Sequence, residues 1–221
     1  MDQTFETVDI SNIKPIRDIV YENLRKAIMD GKLQSGERIV EKDYADRMNI
    51  SRTPVREALR KLEIEGLVQY IPRKGVVVNG FTKEDVIEIY TIRKALEGLA
   101  MRQVVEEITD EELAKLEKLV DDMEAADKAG DKEKVFTTCK EFNELLLNIS
   151  RMPRLKGMVN MLQEYLERFR RITMSKSSRR SSAIKEHRAI FQAIKEKDAQ
   201  KAEALVWEHL DASEKVFFQT T

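Results

Sequence analysis

The sequence predicts a mainly α chain in two parts: three helices with a small β-hairpin, followed by a bundle of six longer helices. Three observations carry this expectation. Apolar residues recur at three- and four-residue intervals along most of the chain, which is the helical period. Two short β-rich runs, LVQYIP and GVVVN, flank the Arg73-Lys74-Gly75 segment and read as one hairpin with glycine at its tip. Beyond Phe81 the pattern is helical throughout, in six amphipathic segments with short connections, as a bundle requires.

Taken in order, residues 1–14 read as an N-terminal tail, 15–79 as a first domain and 80–221 as a second. Pro15 opens a helix whose Ile16, Ile19, Val20, Leu24, Ala27 and Ile28 form one apolar stripe, and Asp30-Gly31 ends it. Ser35-Gly36 is a turn and Arg38-Ile39-Val40 a short strand. A second helix runs from Glu41 to Met48, and Asn49 or Ile50 turns the chain into a third, from Arg52 to Glu65, stopped by Gly66. In the second domain the helices are expected at Thr82–Glu107, Asp110–Ala129, Lys132–Ile149, Pro153–Met174, Ser182–Glu196 and Ala199–Phe218. Thr82 is an N-cap ahead of an acidic first turn. Thr109 to Glu112 spells a capping box, and Pro153 suits a first helical position. The polar, basic stretch SKSSRRSS, from Ser175 to Ser182, is expected to be a mobile loop.

Composition narrows the function classes. With 42% hydrophobic and 36% charged residues the chain is expected to be soluble and well folded, and 6% aromatics leaves the core to aliphatic side chains. No apolar run approaches the roughly 18–20 residues of a membrane span, and the polar N-terminus lacks a signal pattern. A single cysteine, Cys139, excludes an internal disulfide framework and suits a reducing compartment, so a cytoplasmic location is expected. The net charge of -1 is unpromising for a nucleic-acid binder, but it is unevenly spread. Between Ser51 and Gly75, Arg52, Arg56, Arg60, Lys61, Arg73 and Lys74 outnumber Glu57, Glu63 and Glu65, a local basic footprint.

The third helix is the informative element. Val55, Ala58, Leu59 and Leu62 fall on its inward face, and Arg52, Arg56 and Arg60 on the opposite one, with Thr53 near the start. A helix entering the major groove presents its N-terminal residues to base edges, and arginine pairs bidentately with guanine. Thr53 ahead of Pro54 reads as an N-cap with proline at the first helical position. A lone helix of this kind is more often a solvated arginine face. The preceding short helix with its tight turn, and the following hairpin with Arg73, Lys74 and Gly75, favour the DNA-binding reading, since glycine lets the backbone approach the sugar-phosphate edge.

The stretch SGERIVEKDYADRMNISRTPVREALRKLEIEGLVQYIPRKGVVV resembles the winged helix-turn-helix of the GntR family of bacterial regulators, with the likeness spanning Ile16 to Val78. The resemblance implies that Arg52, Thr53 and Arg56 contact double-stranded operator DNA, with Arg52 and Arg56 reading bases. It implies that Ser51 and Lys74 position the module and that Gly75 approaches the minor groove. Glu41 and Lys42 lie where the helix before the turn meets the backbone.

The segments YTIRKALEGLAMRQV, FNELLLNISRMPRL and EHRAIFQAIKEKDAQKAEALVWEHL resemble the FadR branch of that family, whose helical effector module is the FCD domain. This implies a bundle around a cavity for a small organic acid, often beside a divalent metal held by an Asp-x3-His pair and two further histidines. The chain's two histidines, His187 and His209, both fall on apolar, inward helix faces. The Asp/His pair falls at Cys139 and Asn143, a departure from the family's ligands. A Cys139 thiolate with the two imidazoles, completed by Asn143 or water, can hold zinc. Alternatively the metal is lost and the histidines bond an effector directly, Cys139 being a small buried hydrophobe. Arg93 lies in the apolar stripe of the first bundle helix and needs an anionic partner. Glu97, one turn on, supplies one; a carboxylate effector is the other. The effector-binding set is thus Arg93, Asn143, His187 and His209. Arg168, Arg170 and Arg171 read as a solvated cationic face, and Tyr165 and Trp207 as core packing, with cavity lining as the alternative.

The function expected is therefore that of a transcription regulator, a repressor and homodimer, whose operator binding responds to a small carboxylate effector. The alternative is a ligand-independent DNA-binding dimer whose helical domain is a scaffold. A metalloenzyme is disfavoured because no general base accompanies the histidine and cysteine set.

Overall fold

The computed structural model describes residues 14–79 and 82–219, the side chains of Arg168, Phe169, Ile172 and Ser175 excepted. The expected tail lies outside the described residues apart from Lys14, as does the Gly80-Phe81 link between domains. The chain divides into two compact units, Met1–Phe81 and Thr82–Thr221.

In the first unit α1 (Ile16–Met29) is followed by β1 (Arg38–Ile39), α2 (Glu41–Met48), α3 (Arg52–Ile64), β2 (Val68–Ile71) and β3 (Gly75–Val78). The strands form one antiparallel sheet in the order β1-β3-β2, with Val68 opposite Val78 and Ile71 opposite Gly75. Its core is the apolar stripe read from the sequence: Val20, Leu24 and Ile28 of α1 bury against Val55, Ala58, Leu59 and Leu62 of α3. Asn49 closes α2 in the left-handed region at φ 51°, a conformation asparagine tolerates, and so turns the chain into α3. One expectation at this junction is corrected. The N-cap of α3 is Ser51, in extended backbone, rather than Thr53, so Pro54 stands at the third helical position. Proline costs nothing there, because the first four N–H groups of a helix have no internal partner.

In the second unit the helices are α4 (Lys83–Glu107), α5 (Asp110–Lys128), α6 (Lys132–Ile149), α7 (Pro153–Ser175), α8 (Ser177–Lys195) and α9 (Ala199–Phe218). Reciprocal capping boxes start α4, from Thr82 and Asp85, and α5, from Thr109 and Glu112. Asp131 and Asp198 cap α6 and α9. Phe142, Leu116, Met123, Leu166, Ile190, Phe191 and Leu210 meet in one core. Helices α4 and α9 pack closely at Gly98: a Cβ there would stand 2.5 Å from Trp207 Nε1, which donates to the Lys94 carbonyl at 2.9 Å. Trp207 is therefore an inter-helix contact, and it does not line the cavity described below.

The SKSSRRSS stretch is not a loop. Only Lys176, in extended backbone, separates α7 from α8, and the rest is helix. Tertiary pairing overrides its weak local propensity. Arg180 bonds Asp127 at 2.7 Å, Ser181 bonds the same carboxylate at 2.8 Å, and Arg179 bonds Glu186 at 2.8 Å. Both arginines are buried.

Candidate functional site

The outward face of α3 has the chemistry expected of a groove reader. Ser51, Arg52, Thr53 and Arg56 are exposed at or along its N-terminal half, and Arg60 one turn further on. The Ser51 hydroxyl makes no cap hydrogen bond, so it and the first amides of α3 remain available to a phosphate. Among the described residues no carboxylate pairs with Arg52 or Arg60. Arg56 differs: Glu41 accepts from its Nε at 3.1 Å and from its Nη2 at 2.8 Å. That hydrogen bond, followed by the nearby arginine charges, holds the Glu41 carboxyl below its usual range despite some desolvation. Glu41 thus faces Arg56. Lys61, counted in the basic footprint, is spent on Asp18 at 2.5 Å, which ties α3 to α1.

The hairpin stands beside this helix. The chain turns through Arg73, itself left-handed at φ 68°, and returns at Gly75 with φ 84°, where a side chain would be strained. Lys74 is exposed, and the Arg38 guanidinium lies 3.6 Å from where a Gly75 Cβ would stand. Arg38, on β1, is a cation of this surface that sequence reasoning missed, because only the sheet register brings it to the hairpin. A cleft of about 290 Å³ separates α3 from the hairpin, lined by Arg56, Arg60, Tyr70 and Val76 among others.

The second unit encloses a cavity with a free volume of about 30 Å³, room for a water or two. Tyr90, Cys139, Arg170, Arg179, His187, His209 and Ser213 contribute to its lining. His187 is 1% exposed, and neither ring nitrogen has a hydrogen-bond partner among the described residues. Its ring lies 4.9 Å from that of Phe142 and 4.8 Å from that of His209. Burial, reinforced by the charges of His209, Arg170 and Arg179, pushes the His187 pKa well below the ordinary value. His209 Nδ1 meets Glu186 at 2.6 Å, yet desolvation outweighs that carboxylate and lowers its pKa too. Burial raises the Glu186 carboxyl, but His209 and Arg179 bring it below its usual range. Arg179 spends its guanidinium on Glu186 and on the Ser213 hydroxyl, the latter at 2.9 Å. Arg170 has no carboxylate partner among the described residues, and desolvation, then Arg93, lowers its pKa.

These two sites fall within matched families. Residues 16–78 match the model of bacterial regulatory proteins of the gntR family, and residues 88–212 match that of the FCD domain. The chain is a GntR-family transcription regulator with an FCD domain. The regulator is 34% identical over 192 residues to the uncharacterised HTH-type transcriptional regulator YdhC of Bacillus subtilis strain 168, covering 86% of each chain. It is 28% identical over 207 residues to the HTH-type transcriptional repressor RspR of Escherichia coli strain K12, covering 94% of this chain and 90% of the other. A solved structure, McbR/YncC of E. coli, matches with a TM-score of 0.69 at 25% identity, over 94% of this chain and 99% of that one. The regulator is a DNA-binding protein, and its architecture of winged helix-turn-helix and helical FCD domain is that of its family. No helix among its described residues is long and apolar enough to cross a membrane.

FCD domains hold metal ions in some members, but the donors here do not fit one. Cys139, the sulfur ligand of the anticipated set, is buried, which pushes its thiol up to about 12. Its Sγ instead lies 3.6 Å from Met123 Sδ. Asn143 is off the cavity lining, and among the described residues no three His, Cys, Asp or Glu side chains gather as a ligand set. Of the anticipated set Cys139, Asn143, His187 and His209, the two histidines meet as a tilted pair of rings, and the four do not gather as one ligand set among the described residues.

Of the anticipated effector residues, His187 and His209 come together on the cavity. Arg93 is buried in a 2.7 Å pair with Glu97 and lies over the Tyr90 ring at 5.5 Å, outside the lining. Arg170 and Arg179 are cavity residues that sequence reasoning placed on a solvated face or in a loop. A signal was present for Arg170, which follows the buried Leu162 and Leu166 at eight and four residues along one stripe.

Proposed function

We propose that this regulator is a cytoplasmic homodimeric repressor that binds a pseudo-palindromic operator, each winged unit reading one half-site. In this reading α3 enters the major groove, where Arg52 and Arg56 read base edges. Ser51, Thr53 and Lys74 hold phosphate oxygens, and Gly75 lets the hairpin backbone approach the minor groove. The observation that carries the reading is the exposed N-terminal face of α3, with Arg52 unpaired among the described residues, beside a hairpin bearing Arg73 and Lys74 and the neighbouring Arg38 of β1. The repressor assignment draws on RspR, and dimerisation draws on exposed apolar side chains, among them Ile87 and Leu99 of α4.

The helical unit is proposed to modulate operator affinity on binding a small organic acid. Support comes from the cavity, whose unpartnered His187 and unpaired Arg170 are features a plain scaffold would replace with apolar packing. The rival scaffold reading draws on the cavity's small free volume of about 30 Å³. Selection of operator sequences from a random pool, followed by titration at several salt concentrations, tests the DNA half. Arg52→Ala and Arg56→Ala are each expected to weaken the selected site by about 1–3 kcal/mol and to relax preference at one base pair. Unchanged affinity in both variants would sink it.

A further inference from the structure

We propose that the cavity takes a carboxylate directly on the Arg170 guanidinium, with the imidazole edge of His187 completing its hydrogen bonds, and that no metal ion takes part. The inference rests on the reading that the helical unit binds a small acid, and it specifies how.

The charges around the cavity are unbalanced in one direction. Glu186 is the carboxylate nearest the histidines, and it is fully engaged, by Arg179 at 2.8 and 3.0 Å and by His209 at 2.6 Å. Arg93, a buried cation of this region, is matched by Glu97. Arg170, half-buried on the lining, is left over, because Glu167, the carboxylate whose charge acts on it, pairs with Lys140 at 3.6 Å and Arg171 at 3.9 Å. A guanidinium taken from water without an anionic partner is costly, and a planar carboxylate is the group whose two oxygens match its fork of donors. His187 is a second, independent indication of a ligand. It is almost wholly buried on the same lining, carries one donor and one acceptor nitrogen in its neutral form, and satisfies neither.

The stereochemistry disfavours a metal as intermediary. A metal bridging acid and protein needs about three protein donors, whereas among the described residues no three His, Cys, Asp or Glu side chains gather as a ligand set, Cys139 Sγ packing on Met123 Sδ at 3.6 Å and Glu186 being engaged. Direct binding needs only what is present. The free volume of about 30 Å³ further limits the ligand: acetate or another two- to three-carbon acid enters with small side-chain shifts, and larger acids require helices around the cavity to move apart.

The test uses the full chain after EDTA treatment and gel filtration. Melting temperature and isothermal titration are followed with sodium acetate, lactate, pyruvate and inorganic phosphate, against sodium chloride of equal ionic strength, with and without added zinc. The expected result is saturable stabilisation by at least one carboxylate, equal in EDTA-treated and zinc-supplemented protein. Arg170→Met is expected to lose tenfold or more in affinity while the free protein melts no lower than wild type, because a half-buried charge without a carboxylate partner among the described residues has been removed. Arg170→Lys, which keeps charge but not the fork, and His187→Gln are expected to bind less tightly by several-fold, and Arg171→Met to bind as wild type. Stabilisation that appears only with zinc would overturn the metal-free mode and leave the effector reading standing. Phosphate binding without carboxylate binding would overturn the ligand class. Wild-type affinity in both Arg170 variants would overturn the site. No response to any acid, with or without zinc, would bring down the effector reading and this inference together.

Discussion

His187 shows how one residue links burial, charge and pH. Its folded-state pKa lies well below the ordinary value near 6.5, and that of His209 is lowered as well. As pH falls through about 6.5, the unfolded chain takes up protons at both positions and the folded chain does not. Folding stability from these groups is therefore present above about pH 6.5 and is lost as the medium becomes more acidic. Each histidine contributes a slope of about 1.4 kcal/mol per pH unit until its folded pKa is reached. Urea denaturation between pH 7.5 and 5.5 is expected to show this loss, and His187→Gln to reduce the slope by about half; a flat profile in wild type would contradict it. Legibility at this scale was mixed. His187 and His209 are inward because their helix positions put them there, and periodicity reveals that. Periodicity does not reveal that Glu97 satisfies Arg93, that Glu186 satisfies His209, or that Cys139 packs against Met123, since those partners are set by rotamers and by neighbouring helices.

Among the elements, those with strong local signals were legible. The stripe Val55, Ala58, Leu59, Leu62 sets which side of α3 faces in, and the capping residues Thr82 and Thr109 start α4 and α5 where expected. The α7–α8 junction was not legible, because a serine- and arginine-rich stretch is helical here only through its pairs with Asp127 and Glu186. Contact between α4 and α9 depends on a residue with no side chain. Gly98→Ala would raise the intrinsic helix propensity of α4 by roughly 1 kcal/mol, but its methyl would meet Trp207 Nε1 and Glu203 Oε1, at 2.5 and 3.2 Å from an unrelaxed backbone. Overpacking of this kind costs about 1–3 kcal/mol. The expected outcome is a net fall in thermal stability with a red-shifted Trp207 emission as the ring is displaced from the Lys94 carbonyl. A variant more stable than wild type would show that α9 yields easily.

For the whole molecule, the proposed regulation has a thermodynamic signature independent of structural detail. If an acid weakens operator binding by a given factor, saturating operator DNA must weaken acid binding by the same factor. Titrating the acid into free and operator-bound protein checks this, and equal affinities in the two states would mean the cavity and the DNA surface are uncoupled. The paired Arg56 and Glu41 carry a further consequence for such titrations. Binding to DNA releases condensed counterions roughly in proportion to the phosphates neutralised, and a cation already matched by its own carboxylate brings no net charge to that exchange. Arg56 then contributes to which sequence is chosen without contributing to how many ions leave. Removing the pair together, as Glu41→Gln with Arg56→Gln, should leave the logarithmic salt slope unchanged while erasing preference at one base pair. Arg52→Ala should shrink the slope by about one. The ion count of this regulator would therefore understate the number of arginines that touch its operator.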